Sequence, residues 1–333
     1  MSIMWAGNFK GGQIMKFVLT ADWHLQSGTP PCRTDNFQIA QWEKVDEVFR
    51  LAIQLQAPII HAGDLFEKDK PAYKVFTELM IRLKNHSIPF HSVAGNHDLP
   101  NNSIASINNS AYGAMIRSGK VNNLSEYNEN PGWMYGTNWG EPLPELIFDV
   151  DILVLHYLVF PGQIPKHWGL SDSITAEDLL VKYPKANIIL TGHNHQSFVV
   201  DKNGIVNNFK NPYQIEFNPL RTADTILINP GSLTRHKADQ ADHIPCVFIY
   251  DSNAGTITKH VLKHDKNVIS DEHIQVIKKR DERINQYVEA LDSKDYEVGL
   301  DFKQNMQVKM AGLQLDQLTK TMIQNALAEE EIK

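Results

Sequence analysis

Five short apolar runs along the chain each end in a polar block. Phe17-Val18-Leu19 leads into Asp22, Pro58-Ile59-Ile60 into Asp64, Phe90 to Val93 into Asn96, Ile152 to Leu155 into His156, and Ile188-Ile189-Leu190 into His193. Runs that are brief and continuously apolar, rather than alternating, mark strands buried on both faces. Between them, Trp42, Val45, Phe49, Ala52 and Ile53 recur at three- and four-residue spacing, as do Val75, Phe76, Leu79, Met80 and Leu83. These are helices with one apolar face. A third helix is expected to start at Thr175, where Thr175-Ala176-Glu177-Asp178 is capping-box-like. Strands alternating with helices predict a layered α/β fold, in which ligands gather at the carboxyl ends of the strands. All five polar blocks fall at that edge.

After His195 the pattern becomes β-rich: Ser197 to Val200, Thr225 to Ile228, Cys246 to Tyr250, and Thr256 to Leu262 across the turn Asp251 to Gly255. These pieces are expected to complete the sheets. From Asn267 the chain is more charged, with helical spacing at Ile284, Val288 and Leu291 and again at Leu315, Leu318, Met322 and Ile323. The expected organisation is an N-terminal extension at residues 1–15, a main domain over 16–266 and a small accessory region over 267–333.

Composition changes this picture little. With 333 residues and 42% hydrophobic content, the chain can fill one large or two unequal cores. Cys32 and Cys246, the only cysteines, are too few for a disulfide framework and fit a reducing, cytoplasmic setting. No apolar stretch reaches the ~20 residues of a membrane span. The net charge of −7 has the wrong sign for a protein that holds nucleic acid by its overall field. A polyanionic substrate would need bound metals, a local basic strip or a partner.

The blocks themselves carry the chemistry. Asp22-Trp23-His24, Gly63-Asp64, Gly95-Asn96-His97-Asp98, His156 and Gly192-His193-Asn194-His195 offer carboxylate, amide and imidazole ligands without a thiolate. That mix suits manganese, iron or zinc. Asp64 can bridge two ions, with Asp22, His24 and His195 completing one and Asn96, His156 and His193 the other. Ions ~3.5–4 Å apart clamp a phosphate and generate hydroxide for in-line attack. His97 remains as leaving-group acid or charge stabiliser, with Asp98 placed to orient it. Singly, such blocks also fit ordinary turns, where Asp, Asn and Gly serve the backbone; the ordered set favours metal. His61 and His91, inside apolar runs, read as core histidines or supports. His236, beside Arg235 and just after Gly231-Ser232, can lie near the site.

The blocks resemble the calcineurin-like metallophosphoesterases. Asp22-Trp23-His24-Leu25, Gly63-Asp64-Leu65-Phe66 and Gly95-Asn96-His97-Asp98-Leu99 are most similar to the SbcD-type nuclease subunits of bacteria and their phages. The resemblance covers about Lys16 to Arg235. It implies a sandwich of two mixed sheets flanked by helices, two manganese ions, and exo- and endonuclease activity on DNA ends and hairpins. It also implies a homodimer that assembles with an SbcC-like coiled-coil ABC ATPase, and the same ligand split, with His97 outside the metal shell. The region after Lys266 is short for the DNA-contacting cap and partner-binding helices of that family and reads as a reduced version of both. Lys259, Lys263, Lys266, Lys278, Lys279 and Arg280 are candidate phosphate contacts, and the loops Gln26 to Asp35 and Asn101 to Ser110 are candidate groove walls. The alternative is a stand-alone phosphodiesterase or phosphatase for small nucleotides or phosphoproteins. A non-catalytic scaffold is disfavoured, because every ligand position is filled.

Overall fold

The computed structural model describes residues 16–127, 134–165, 173–206, 213–216, 225–292 and 302–329. The expected extension at residues 1–15 lies outside the described residues. The chain divides into two compact units, one ending at Ser270 and the other beginning at Asp271.

The first unit is built on two sheets. Neighbour by neighbour, the seven-stranded sheet runs Tyr213–Glu216, Thr256–Val261, Cys246–Asp251, Lys16–Thr20, Ile59–His61, Phe90–Ser92 and Asn122–Asn123. The six-stranded sheet runs Gly204–Ile205, Phe198–Asp201, Ile226–Asn229, Ala186–Gly192, Val150–His156 and Met134–Thr137. The strands that lead into polar blocks pair in parallel within each sheet, so their carboxyl ends share an edge.

Alternate residues of these strands serve different cores. Phe17, Leu19 and Ile60 meet Ile152, Val154, Ile188 and Leu190 between the sheets. Val18 and Ile59 face the other way, packing with Val45, Phe49 and Leu79 of the helices Phe37–Leu55 and Tyr73–His86. Leu153, Leu155 and Ile189 pack on Leu179 of the helix Ala176–Lys182. The result is four layers: helices, sheet, sheet, helix. Each buried Leu, Ile or Phe contributes ~1.5–3 kcal/mol, and the shared central layer fixes the two ligand-bearing edges against each other. The helix start expected at Thr175 is present, Thr175 Oγ1 accepting Asp178 N–H at 3.1 Å, and the helix Phe37–Leu55 is likewise capped by the Asn36 side chain, which accepts Ile39 N–H at 3.2 Å.

The first unit extends past Lys266 because Thr34 N–H donates to Val268 O at 3.1 Å and Ser270 N–H to Cys32 O at 2.8 Å. These bonds also fix the loop Gln26 to Asp35. The second unit holds the helices Glu272–Asp292, Phe302–Gly312 and Gln317–Glu329. Within it, Arg283 pairs with Asp316 at 2.9 Å. Among the described residues, no helix is long and apolar enough to cross a membrane.

Candidate metal centre

The backbone at the blocks is strained. Asp22, His24, Asp64 and His193 have φ of 49°, 47°, 57° and 74°, the left-handed region that costs a non-glycine residue ~1–2 kcal/mol. Such strain collects at functional sites held by the surrounding fold. Here the holding is direct: Asp22 N–H donates to Gly63 O and His24 N–H to Asp64 O, both at 3.0 Å. Gly63 and Gly95 are required by space. A Cβ at Gly63, which also has φ +89°, would lie 2.3 Å from His156 Nδ1, and one at Gly95 would lie 2.1 Å from Asp64 Oδ1.

The structure brings all seven expected ligands, Asp22, His24, Asp64, Asn96, His156, His193 and His195, to one place. Asn96 Oδ1 lies 3.2 Å from His156 Nε2 and 2.9 Å from His193 Nδ1, and those two nitrogens are 3.2 Å apart. Asp64 Oδ2 is 3.3 Å from His156 Nε2. Ligand atoms on adjacent octahedral positions around an ion with ~2.1 Å bonds lie about 3 Å apart, so this quartet can surround one cation. On the other side His24 Nε2 is 3.1 Å from His195 Nε2, 3.6 Å from Asp64 Oδ2 and 3.9 Å from Asp22 Oδ1. That set can surround a second.

Asp64 decides that the two sets are one site. Its Oδ1 accepts the His97 backbone N–H at 2.8 Å. Its Oδ2 is buried and accepts no hydrogen bond among the described residues, while His24 and His156 flank it. A buried carboxylate oxygen is costly unless a cation meets it; in the metal-free protein the charged His156 ring at 3.3 Å is that cation, and a bound metal ion would take its place. Asp64 would thus present the same oxygen, Oδ2, to both sets when ions are bound.

The groups around the ligands set their protonation. His156 Nδ1 donates to Ala62 O at 2.7 Å and His24 Nδ1 to Glu67 Oε2 at 2.9 Å, which turns both Nε2 atoms inward. Trp139 stacks on His193, centroid to centroid 4.9 Å. Burial, with neighbouring positive groups adding to it, holds His24, His193 and His195 neutral, the metal-binding form. His156 differs. Burial opposes its charge, but Asp64 overcomes that and raises the ring to about 9.

His97 and Asp98 need a correction. His97 Nδ1 donates to the Glu67 carbonyl at 2.9 Å, so Glu67, not Asp98, orients the ring. The Asp98 carboxylate accepts the backbone N–H groups of Leu65, Phe66 and Gly95 at 3.2, 3.1 and 3.0 Å, clamping two blocks together. Burial and the Asp64 charge nonetheless push its carboxyl up to about 7. Sequence reasoning passed over Glu67, Trp139 and Asn138, whose Oδ1 accepts Ala94 N–H at 2.7 Å. Only for Glu67 was there a signal, an acid three residues after Asp64. His61 is a core residue bonded to Ser92 Oγ at 3.0 Å, whereas buried His236 packs on His24 and His195.

The sequence profile of the calcineurin-like phosphoesterases matches residues 15–197, a span containing every expected ligand. The chain belongs to the calcineurin-like phosphoesterase family. Its members are metal-dependent hydrolases of phosphoesters, and the His and Asp groups here are able to hold divalent ions. Among curated relatives, this phosphoesterase is 34% identical over 90 residues to the DNA double-strand break repair protein Mre11 of Methanococcus maripaludis. That alignment covers 26% of the chain and only 24% of the relative. Among solved structures, a metallophosphoesterase from Sphaerobacter thermophilus is similar at 16% identity and TM-score 0.41, covering 75% of this chain and 90% of that one.

Proposed function

We propose that this phosphoesterase is a manganese-dependent DNA nuclease that cuts phosphodiester bonds at DNA ends and hairpins. The observation that carries the reading is the pair of ligand sets sharing Asp64 Oδ2, with the His97 ring beside them. DNA as the substrate is supported by the SbcD-like wording of the blocks and by the partial likeness to Mre11. When bound, paired divalent ions hold a phosphate and supply hydroxide for in-line attack.

The chain's own residues do the rest. Asp22, His24, Asp64, Asn96, His156, His193 and His195 would hold the two divalent ions. His97, its Nδ1–H held by Glu67 O, has Nε2 as its second ring nitrogen; in the imidazolium form that nitrogen also carries a proton, which can meet the leaving oxygen's charge or pass to it. Trp139 and Asn138 keep the Gly95 block and the His193 ring in place.

The −7 charge favours a second reading in which small phosphodiesters or phosphoproteins are the substrates. In the DNA reading, that charge makes a partner useful. We assign the second unit, which exposes Val276, Ile284, Leu318 and Met322, to binding an SbcC-like ATPase, and take the working form to be a cytoplasmic homodimer. The test is incubation with manganese and end-labelled duplex, hairpin and single-stranded DNA, with and without a candidate ATPase. The expected result is a product ladder abolished by chelation. Intact DNA in every arm, with rapid hydrolysis of a cyclic nucleotide or phosphopeptide, would move the activity to the second reading.

A further inference from the structure

His236 lies outside the apolar-run blocks, on the loop after the strand Ile226–Asn229. It is 7% exposed. Its ring centroid is 4.4 Å from that of His24 and 4.9 Å from that of His195. One ring nitrogen from each of the three lies within 4.8 Å of the others. His236 Nδ1 meets Thr234 O at 3.3 Å. A carbonyl can only accept, so Nδ1 carries the proton and Nε2 is left with a lone pair. That Nε2 is buried and has no hydrogen-bond partner among the described residues. An orphaned lone pair beside two imidazoles whose own Nε2 atoms converge is explained by a cation.

The loop is built to hold this ring still. Ser232 N–H donates to His195 O at 3.1 Å and Leu233 N–H to Asp22 O at 3.0 Å, tying the segment to two ligand blocks. Gln240 Oε1 accepts the His236 N–H at 2.7 Å, and Gln240 Nε2 donates to Ser232 Oγ at 3.1 Å. Arg33 Nη1 donates to Arg235 O at 2.9 Å. These bonds fix the loop that carries the ring, and Thr234 O fixes the ring's tautomer, as the outer contacts of a ligand imidazole do.

We infer that His236 is a third imidazole ligand of the ion held by Asp22, His24 and His195. This rests on the two-ion reading of the site. A third neutral nitrogen shifts that position toward transition metals and away from magnesium, whose preferred ligands are oxygens. The two positions therefore differ in selectivity, and His236 sets the difference.

The test is a calorimetric titration of metal-free wild type and His236→Ala with manganese, and again with magnesium. Thermal melts in EDTA check that the variant folds. The expected result is wild-type binding of two manganese ions, with one position weakened at least ~10–100-fold in the variant and little change for magnesium. Two unchanged manganese affinities would overturn the role of His236 alone. A wild type that binds no metal would overturn the two-ion reading instead. If the variant does not fold, the manganese-loaded wild-type crystal decides: an ion-to-Nε2 distance of about 2.1 Å is expected, and one beyond 3 Å overturns the inference.

Discussion

His24 and His195 present their Nε2 atoms to each other at 3.1 Å inside the protein. The His24 proton is engaged at Nδ1 by Glu67, so only one shared proton can sit between the two rings in the metal-free protein. A divalent ion does the same job with more ligands. Removing Glu67 tests this coupling. Glu67→Ala should weaken the ion next to His24 by ~10–100-fold and leave the position around Asn96 near wild type. Manganese titration followed by electron paramagnetic resonance measures both.

Asp64→Ala removes the oxygen that both ligand sets face. Affinity should fall at both positions by at least ~100-fold, more than for loss of a supporting group, and phosphodiesterase activity should vanish. Equilibrium dialysis that still finds two ions at wild-type affinity would remove Asp64 from its shared role.

His97 is assigned to proton transfer or charge stabilisation. His97→Ala should retain both ions while kcat on a simple phosphodiester falls ~10²–10⁴-fold. Loss of metal in the variant would make His97 a ligand.

For Asp98 the expectation is structural. Asp98→Ala strands three buried amides of Leu65, Phe66 and Gly95, at ~1–3 kcal/mol each. The denaturation midpoint should drop sharply in EDTA as well as in metal. An unchanged midpoint with lost activity would return Asp98 to a direct role at His97.

Metal binding should release protons. His156 is raised to about 9 in the metal-free site, so at pH 7 its ring is charged and must give up its proton to become a ligand. Affinity should therefore climb by up to about tenfold per pH unit from pH 7 and flatten near 9. Calorimetry in buffers of differing ionisation heat should register at least one proton released per protein. A flat affinity between pH 7 and 9 would mean that the ring is already neutral.

Much of this site was legible in the sequence because each ligand block lies at the carboxyl end of a buried strand, and a parallel sheet gathers strand ends by construction. The apolar runs at Phe17, Ile59, Phe90, Ile152 and Ile188 gave both the layers and the edge where Asp22, Asp64, Asn96, His156 and His193 meet. The supporting contacts were not legible. Glu67 acts through a side-chain oxygen on His24 and a backbone oxygen on His97; its place three residues after Asp64 marks an acid near the block but neither of these contacts. Trp139 follows the strand Met134–Thr137, which is too short and too interrupted by Gly136 to read as a buried run. His236 reaches the site only because the Ser232-to-His243 loop folds back over it, a tertiary event that no local periodicity records.

An anomalous-scattering map from crystals of the wild-type protein soaked in manganese tests the shared metal centre itself. Two peaks ~3.5–4 Å apart are expected, flanking Asp64 Oδ2, one among Asp22, His24 and His195 and the other among Asn96, His156 and His193. A single peak, or two peaks that do not share Asp64, would contradict a shared centre.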